Sequence, residues 1–164
     1  MAVLDTKMPI RTQEEDLFRR SNLPELLDTD IIRKFYPLTG FQAFYCSDVL
    51  VKKDAKCDSV APYHVSVITV PAVVNPQPEQ MGLVEGRAKR IFEIAAENKE
   101  RILILGAWGC GVFHNDPKHI AELFMRMLKN EFNCVFEKVV FAIPTGKTST
   151  RPVLCAGFQD NYNI

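Results

Sequence analysis

Apolar strand segments and amphipathic helices alternate along the centre of the chain, and this order restricts the fold more than any other feature. The segment at 63–73 is rich in β-branched residues and apolar on both alternations, as in a central strand covered on two faces. Helical patterns over 79–98 and after Asp116 and Pro117 alternate with the strands RILILG and FEKVVFAIP. This order is typical of a parallel sheet with crossover helices, so the sequence predicts an α/β fold.

The N-terminal part carries signals for further elements. Thr12 and Glu15 have the spacing of a capping box, which predicts the start of a helix, and Pro24 can begin a second, shorter one. Two short strands are expected at 44–46 and 48–51. With 164 residues and no linker, the chain is expected to form a single domain over 1–164, with 145–164 as a surface loop or tail.

Charge and composition exclude several classes of partner. Twenty basic residues balance twenty acidic ones, so no basic surplus favours nucleic acid or an anionic membrane. No apolar run reaches the ~18–20 residues of a membrane span, and no secretory leader is recognisable. The five cysteines form no C-x-x-C pair and the histidines show no ligand spacing, so we expect a cytoplasmic protein without a metal or cofactor.

A loop with three glycines follows the strand RILILG. In LGAWGCGVFHNDP, residues 105–117, the glycines allow close approach of a ligand, and the loop leads to a helix N-terminus, which suits a diphosphate. A tight connection without a ligand is the alternative. The aromatic residues Trp108 and Phe113 look exposed, and Phe113 is a candidate to lie on a sugar or base, or else to cover the core.

Two other functions have weaker support in the sequence. A cysteine hydrolase, with Cys110 as the nucleophile and His114 or His119 as the base, is one alternative, but no local sequence motif supports it. The segment GKTST looks like a P-loop, but Phe141 stands where that motif requires its first glycine.

A second candidate site is the acidic run Gln13-Glu14-Glu15-Asp16. Carboxylates in a first helical turn are stabilised by the helix dipole, so capping is one interpretation. The other is general acid–base catalysis, in which one carboxylate protonates the leaving group of a glycosidic bond and activates water.

The segments QEEDLFRRSNL, VITVPAVVNP and LGAWGCGVFHNDP together resemble the microbial-type poly(ADP-ribose) glycohydrolase catalytic domain, over roughly 12–143. The resemblance implies a macrodomain-like, three-layer α/β/α fold with a mixed, largely parallel sheet. It implies ADP-ribose or an ADP-ribosylated protein as partner.

The resemblance also implies roles for individual residues. Glu15 matches the family's catalytic acid/base, and Glu14 and Gln13 match residues that place the terminal ribose. The second loop of the family matches Gly106, Ala107, Trp108, Gly109, Cys110, Gly111, Val112 and Phe113. In it, main-chain amides hold the diphosphate and the phenylalanine packs on the ribose.

One part of the family pattern is absent. The family carries a glycine triplet shortly upstream of Gln-Glu-Glu, whereas this sequence has no glycine before Gly40. Three hypotheses therefore stand: a hydrolase of the ribosyl bond of poly- or mono-ADP-ribose, a catalytically weak or inactive module that binds ADP-ribose, and a scaffold that has lost the pocket.

Overall fold

The computed structural model describes residues 13–27, 30, 34–35 and 37–143. The expected cap at Thr12 and the expected tail at 145–164 lie outside these residues. The chain divides into two compact units, one ending at Thr69 and the other beginning at Val70, and each is described by itself.

The first unit contains two helices and an antiparallel pair of strands. Its elements are α1 (Gln13–Arg20), α2 (Leu23–Leu26), β1 (Phe44–Lys53) and β2 (Ser59–Thr69). The chain turns back between the strands through a short loop, in which the Asp54 carboxylate accepts hydrogen bonds from the N–H groups of Lys56 and Asp58. A connection this short joins only antiparallel strands.

Strand β1 is longer than expected, because a bulge joins the two predicted short strands into one. The register shifts between Cys46 and Val49, and Asp48 takes a φ of 60° there. Such a bulge bends the strand without ending it. The prediction of two separate strands at 44–46 and 48–51 is therefore wrong, although their residues are in a strand.

Apolar side chains from both helices pack on this hairpin. The buried residues Leu23, Leu27 and Val49 form the centre, with Leu17 and Phe18 of α1 against them. Between the helices, Asn22 bonds to Leu50 of β1 with both its main-chain N–H and its side-chain Oδ1, at 3.1 and 2.7 Å. These bonds fix the helical segment to the strand.

The second unit has the helix–strand alternation that the sequence predicts. After a 3-10 turn at Pro78–Gln80 come α3 (Met81–Glu97), β3 (Ile102–Leu105), α4 (Pro117–Asn130) and β4 (Lys138–Phe141). Strands β3 and β4 are parallel, with Ile102 opposite Lys138 and Leu105 opposite Phe141. The helix α4 makes the crossover between them, as parallel pairing requires.

The core of this unit lies between α3 and α4. Phe92 and Phe124 are fully buried and meet edge to face, with ring centroids 5.5 Å apart. The predicted core face of the second helix is confirmed, since all five of its residues are buried: Ile120, Leu123, Phe124, Met127 and Leu128. Ion pairs between Lys89 and Glu131 and between Arg126 and Glu85 link the exposed sides of the helices.

The sheet differs from the expectation in two ways. Instead of one largely parallel sheet, the described residues form two two-stranded sheets, of which β1–β2 is antiparallel. The strand predicted at 63–73 ends at Thr69, and Tyr63 within it is 53% exposed, so this strand is not covered on both faces. Pro71 has no N–H to donate, which disfavours continuing the ladder. The fold is mixed α/β, as predicted.

Candidate ligand-binding loop and acidic helix

The glycine-rich loop between β3 and α4 folds as a series of tight turns. The main-chain N–H of Trp108 donates to the Gly106 carbonyl at 2.9 Å, and that of Cys110 to the Ala107 carbonyl at 3.0 Å. Further on, the His114 N–H donates to the Gly111 carbonyl at 3.0 Å. These turns hold the main chain of the loop in a defined conformation.

Gly109 is required at its position for two reasons. Its φ of 72° lies in the left-handed region that favours glycine. A Cβ at Gly109 would also lie 2.6 Å from Asn115 Nδ2 and 2.8 Å from the Cβ of Ala72. At Gly111, by contrast, a Cβ would have no other atom within 4 Å.

The segment 70–75, which follows β2, is joined to this loop and to α3 by four hydrogen bonds. The Trp108 indole Nε1 donates to the Val70 carbonyl at 3.0 Å, and Arg87 Nη1 donates to the Pro71 carbonyl at 3.1 Å. Asn115 Nδ2 donates to the Val73 carbonyl at 2.8 Å. The N–H of Asn75 donates to the Phe113 carbonyl at 2.7 Å. These hydrogen bonds fix the segment 70–75 to the loop region and to α3.

The two aromatic residues of the loop differ in environment. Trp108 is half-buried, and its ring stacks on that of Phe124 with centroids 6.1 Å apart. The expectation that Trp108 is exposed is therefore wrong, because its side chain packs into the core of this unit. Phe113 is half-buried and its neighbour Val112 is 65% exposed, so these side chains are accessible to a ligand.

Several main-chain N–H groups of the loop are open, meaning that they have no main-chain hydrogen-bond acceptor among the described residues. In the described part of the chain, those of Gly109, Gly111, Val112 and Phe113 donate to no main-chain acceptor. Consecutive open N–H groups near a helix N-terminus form an anion-binding concavity. The helix α4 begins directly after this loop, where the Asp116 side chain accepts from the Lys118 N–H at 3.0 Å.

Cys110 is unsuited to nucleophilic chemistry. Its side chain is 6% exposed, and its thiol contacts the Trp108 carbonyl. Burial, together with the nearby Asp116 carboxylate, raises the pKa of the Cys110 thiol from 9.0 to about 11. Because the thiolate is the reactive form, these conditions disfavour a cysteine hydrolase.

The acidic run occupies the first turn of α1 in the other unit. Gln13 is exposed, whereas Glu14 and Glu15 are half-buried. Asp16 forms an ion pair with Arg20 one turn later. Leu17 and Phe18 pack against the core of this unit, and this packing fixes the position of the helix that carries the carboxylates.

The predicted site residues thus form two groups. The eight predicted loop residues from Gly106 to Phe113 lie together in the unit that begins at Val70, and Gln13, Glu14 and Glu15 lie together on α1. Within the described ranges, no three His, Cys, Asp or Glu side chains are arranged to hold a metal ion. No helix among those described is long and apolar enough to cross a membrane.

Asn115 belongs to the motif LGAWGCGVFHNDP, but the sequence predicted no role for its side chain. It is buried, with 3% exposure, and its amide bonds to the loop and to segment 70–75. Its sequence signals were its place in that motif and its position directly before the helix cap Asp116 and Pro117. A buried amide beside a glycine-rich loop can be identified only once the fold brings both segments together.

Solved structures of two bacterial proteins are similar to this chain. Poly(ADP-ribose) glycohydrolase from Deinococcus radiodurans in complex with ADP-ribose matches with a TM-score of 0.78 at 32% identity, over 93% of this chain and 68% of that chain. The enzyme from Thermomonospora curvata gives a TM-score of 0.80 at 32% identity, over 93% and 61%. Its complex with the inhibitor ADP-HPD gives 0.78 at 30%, over 93% and 63%. No protein-family profile and no curated protein sequence matches this chain.

The fold and loop define a mixed α/β protein whose glycine-rich strand-to-helix connection presents main-chain N–H groups. With the similarity just described, the chain belongs to the poly(ADP-ribose) glycohydrolase family, and its domain is of the microbial type. The resemblance recognised in the sequence is thereby confirmed.

Proposed function

We propose that this protein hydrolyses the ribosyl bond of poly- or mono-ADP-ribose. Glu15 acts as the acid/base, Glu14 and Gln13 place the terminal ribose, and the loop from Gly106 to Phe113 binds the diphosphate. The observation that carries the proposal is the conformation of this loop, which leaves several N–H groups open to an anion. Solved relatives in complex with ADP-ribose and with ADP-HPD support the same ligand class.

The chemistry at Glu15 follows from the bond to be broken. Cleavage between the anomeric carbon and its oxygen leaves positive charge on the ribose, and the departing oxygen needs a proton. A protonated Glu15 supplies that proton. The carboxylate then takes a proton from water as the water oxygen bonds to the anomeric carbon, which regenerates the acid.

The loop contributes binding and orientation. Hydrogen bonds from main-chain N–H groups to a diphosphate are charge-assisted and fixed in direction. Phe113 and Val112, which are accessible beside these groups, supply apolar contact for the sugar. Holding the diphosphate in this way reduces the freedom of the bound ligand, which is the contribution of this loop to catalysis.

The decisive experiment measures ADP-ribose released from a poly(ADP-ribosyl)ated protein. We expect release by the wild type and a loss of about 10²–10⁴-fold in Glu15→Gln. Glu25→Gln is the matched control, because Glu25 is an exposed glutamate on α2. Absence of free ADP-ribose at high enzyme concentration would contradict the proposal of hydrolysis.

A second candidate is a module that binds ADP-ribose without cleaving it. The observation that favours it is the absence of any glycine before Gly40, where the family has its glycine triplet. This function predicts calorimetric binding of ADP-ribose with no turnover, and unchanged affinity in Glu15→Ala. If ADP-ribose produces no heat even at high ligand concentration, the scaffold hypothesis is favoured over both.

A further inference from the structure

We propose that Asn115 is a positioning residue that sets which N–H groups of the loop at 106–113 face a bound diphosphate. Its effect on the diphosphate rests on the proposed function, whereas its effect on the ligand-free loop does not. Asn115 lies outside the predicted contact residues and acts through the main chain of the loop.

One side-chain nitrogen ties both ends of the open part of the loop. Asn115 Nδ2 lies 3.0 Å from the Gly109 carbonyl oxygen and 3.4 Å from that of Phe113. The same nitrogen donates to the Val73 carbonyl oxygen at 2.8 Å. Because three carbonyls surround it, the orientation of the Asn115 amide is fixed.

The two tied carbonyls bracket the N–H groups of Gly111, Val112 and Phe113. A peptide group is planar, so fixing its carbonyl also fixes its N–H. Asn115 Nδ2 adds a second hydrogen bond at the carbonyls of Gly109 and Phe113, and this further restricts the peptide groups between them. Asn115 therefore preorganises the open N–H groups, which lowers the cost of ordering them around an anion.

The stability of the fold does not by itself account for both ends of the Asn115 amide. Its Oδ1 is buried and accepts no hydrogen bond from the described part of the chain, which is unfavourable for a folded protein. Two of its three carbonyl partners keep main-chain donors without it: the Gly109 carbonyl accepts from the N–H of residue 115 itself, and the Phe113 carbonyl from that of Asn75. A variant without the side-chain amide is thus expected to fold.

The test uses Asn115→Leu, which keeps the approximate shape and removes the donor. We expect ADP-ribose affinity to fall about tenfold or more by calorimetry, which corresponds to about 1.4 kcal/mol. In turnover, KM should rise while kcat stays within about threefold, because uniform binding is what is lost. The fluorescence of Trp108, the chain's single tryptophan, should change in the ligand-free protein because it lies in the same loop.

Leu128→Ala is the matched control. Leu128 is buried on α4, toward the end of the helix away from the loop, so its truncation destabilises this unit without touching the Asn115 contacts. It should keep the affinity and the Trp108 emission of the wild type. Asn115→Ser, whose hydroxyl reaches fewer carbonyls, serves as a second variant should Asn115→Leu fail to fold, and an intermediate loss is expected.

The outcomes separate this proposal from the proposed function. If the wild type binds ADP-ribose and a folded Asn115 variant binds it equally well, the role of Asn115 is refuted and the function stands. If the wild type does not bind ADP-ribose, the proposed function is refuted. The emission of Trp108 in the ligand-free protein then tests the role of Asn115 in the loop. Unchanged emission in the variants then overturns the role of Asn115 in the loop, and altered emission supports it.

Discussion

Gly109 is a residue of the loop at which even an added methyl group should be poorly tolerated. In Gly109→Ala, the added methyl group would clash with Asn115 and Ala72, and alanine would have to adopt a φ of 72°. We expect a loss of about 1–3 kcal/mol in the free energy of unfolding, measured in urea by circular dichroism.

Gly111→Ala is the control for this prediction, because a Cβ at Gly111 meets open space. Its free energy of unfolding should stay within about 0.5 kcal/mol of the wild type. Equal losses in both variants would show that the close approach at Gly109 is not the cause.

Cys110 should be unreactive despite its place in a candidate site. Its pKa is raised by burial to about 11, so at pH 8 almost no thiolate is present, and iodoacetamide should modify it much more slowly than the exposed Cys57 and Cys134. Mass spectrometry of the alkylated peptides gives the three rates. Modification of Cys110 as fast as that of Cys57 would contradict its buried position.

The same pKa predicts a dependence of stability on pH. Above pH 9 the thiol of Cys110 ionises in the unfolded chain but stays protonated in the folded protein, up to about pH 11. The stabilisation is therefore complete below pH 9 and is lost between pH 9 and about 11. Cys110→Ala should show a smaller decrease of the urea midpoint over this range than the wild type.

At the scale of elements, α4 depends on its first turn. Asp116 accepts a hydrogen bond from the Lys118 N–H, and Pro117 occupies the first helical position. We expect Asp116→Ala to lower the free energy of unfolding by about 1 kcal/mol and Asp116→Asn to restore most of it, since asparagine also caps helices well. Urea unfolding compares the two, and equal loss in both would refute capping as the role of Asp116.

The elements differ in how far the sequence predicted them. The prediction of the buried face of α4 is confirmed, because apolar residues at helical spacing place one side of the helix in the core whatever it packs against. The extent of β1 and β2 was not, because the bulge at Asp48 and the exit at Thr69 depend on partners distant in sequence. The contacts of Asn115 could not be predicted for the same reason, since its bond to Val73 joins segments 42 residues apart.

For the candidate site, local motifs carried what could be predicted. The glycines of the loop marked a region of close main-chain packing, and Gly109 meets that expectation through its φ and its contacts. The same motif did not reveal that Trp108 faces Phe124, because exposure depends on the fold around a residue. Roles for Glu14 and Glu15 came from family resemblance and stay predictions.

At the scale of the whole molecule, charge balance limits the choice of partner. With twenty basic and twenty acidic residues, the chain has no net charge to draw in a polyanion. We expect no measurable binding to a short DNA duplex at physiological salt by fluorescence anisotropy, whereas a charged ligand held by local N–H groups remains compatible with zero net charge. Salt-sensitive binding to DNA would contradict this prediction.

The hydrogen bonds that reach segment 70–75 also limit how the length of the chain can vary. They arrive at Val70, Pro71, Val73 and Asn75, each from a different residue of α3 or of the loop region. Inserting or deleting one residue within the segment would place every later partner opposite the wrong atom. Related sequences can therefore exchange side chains here, but we expect them to keep the number of residues, as though the segment were part of a sheet.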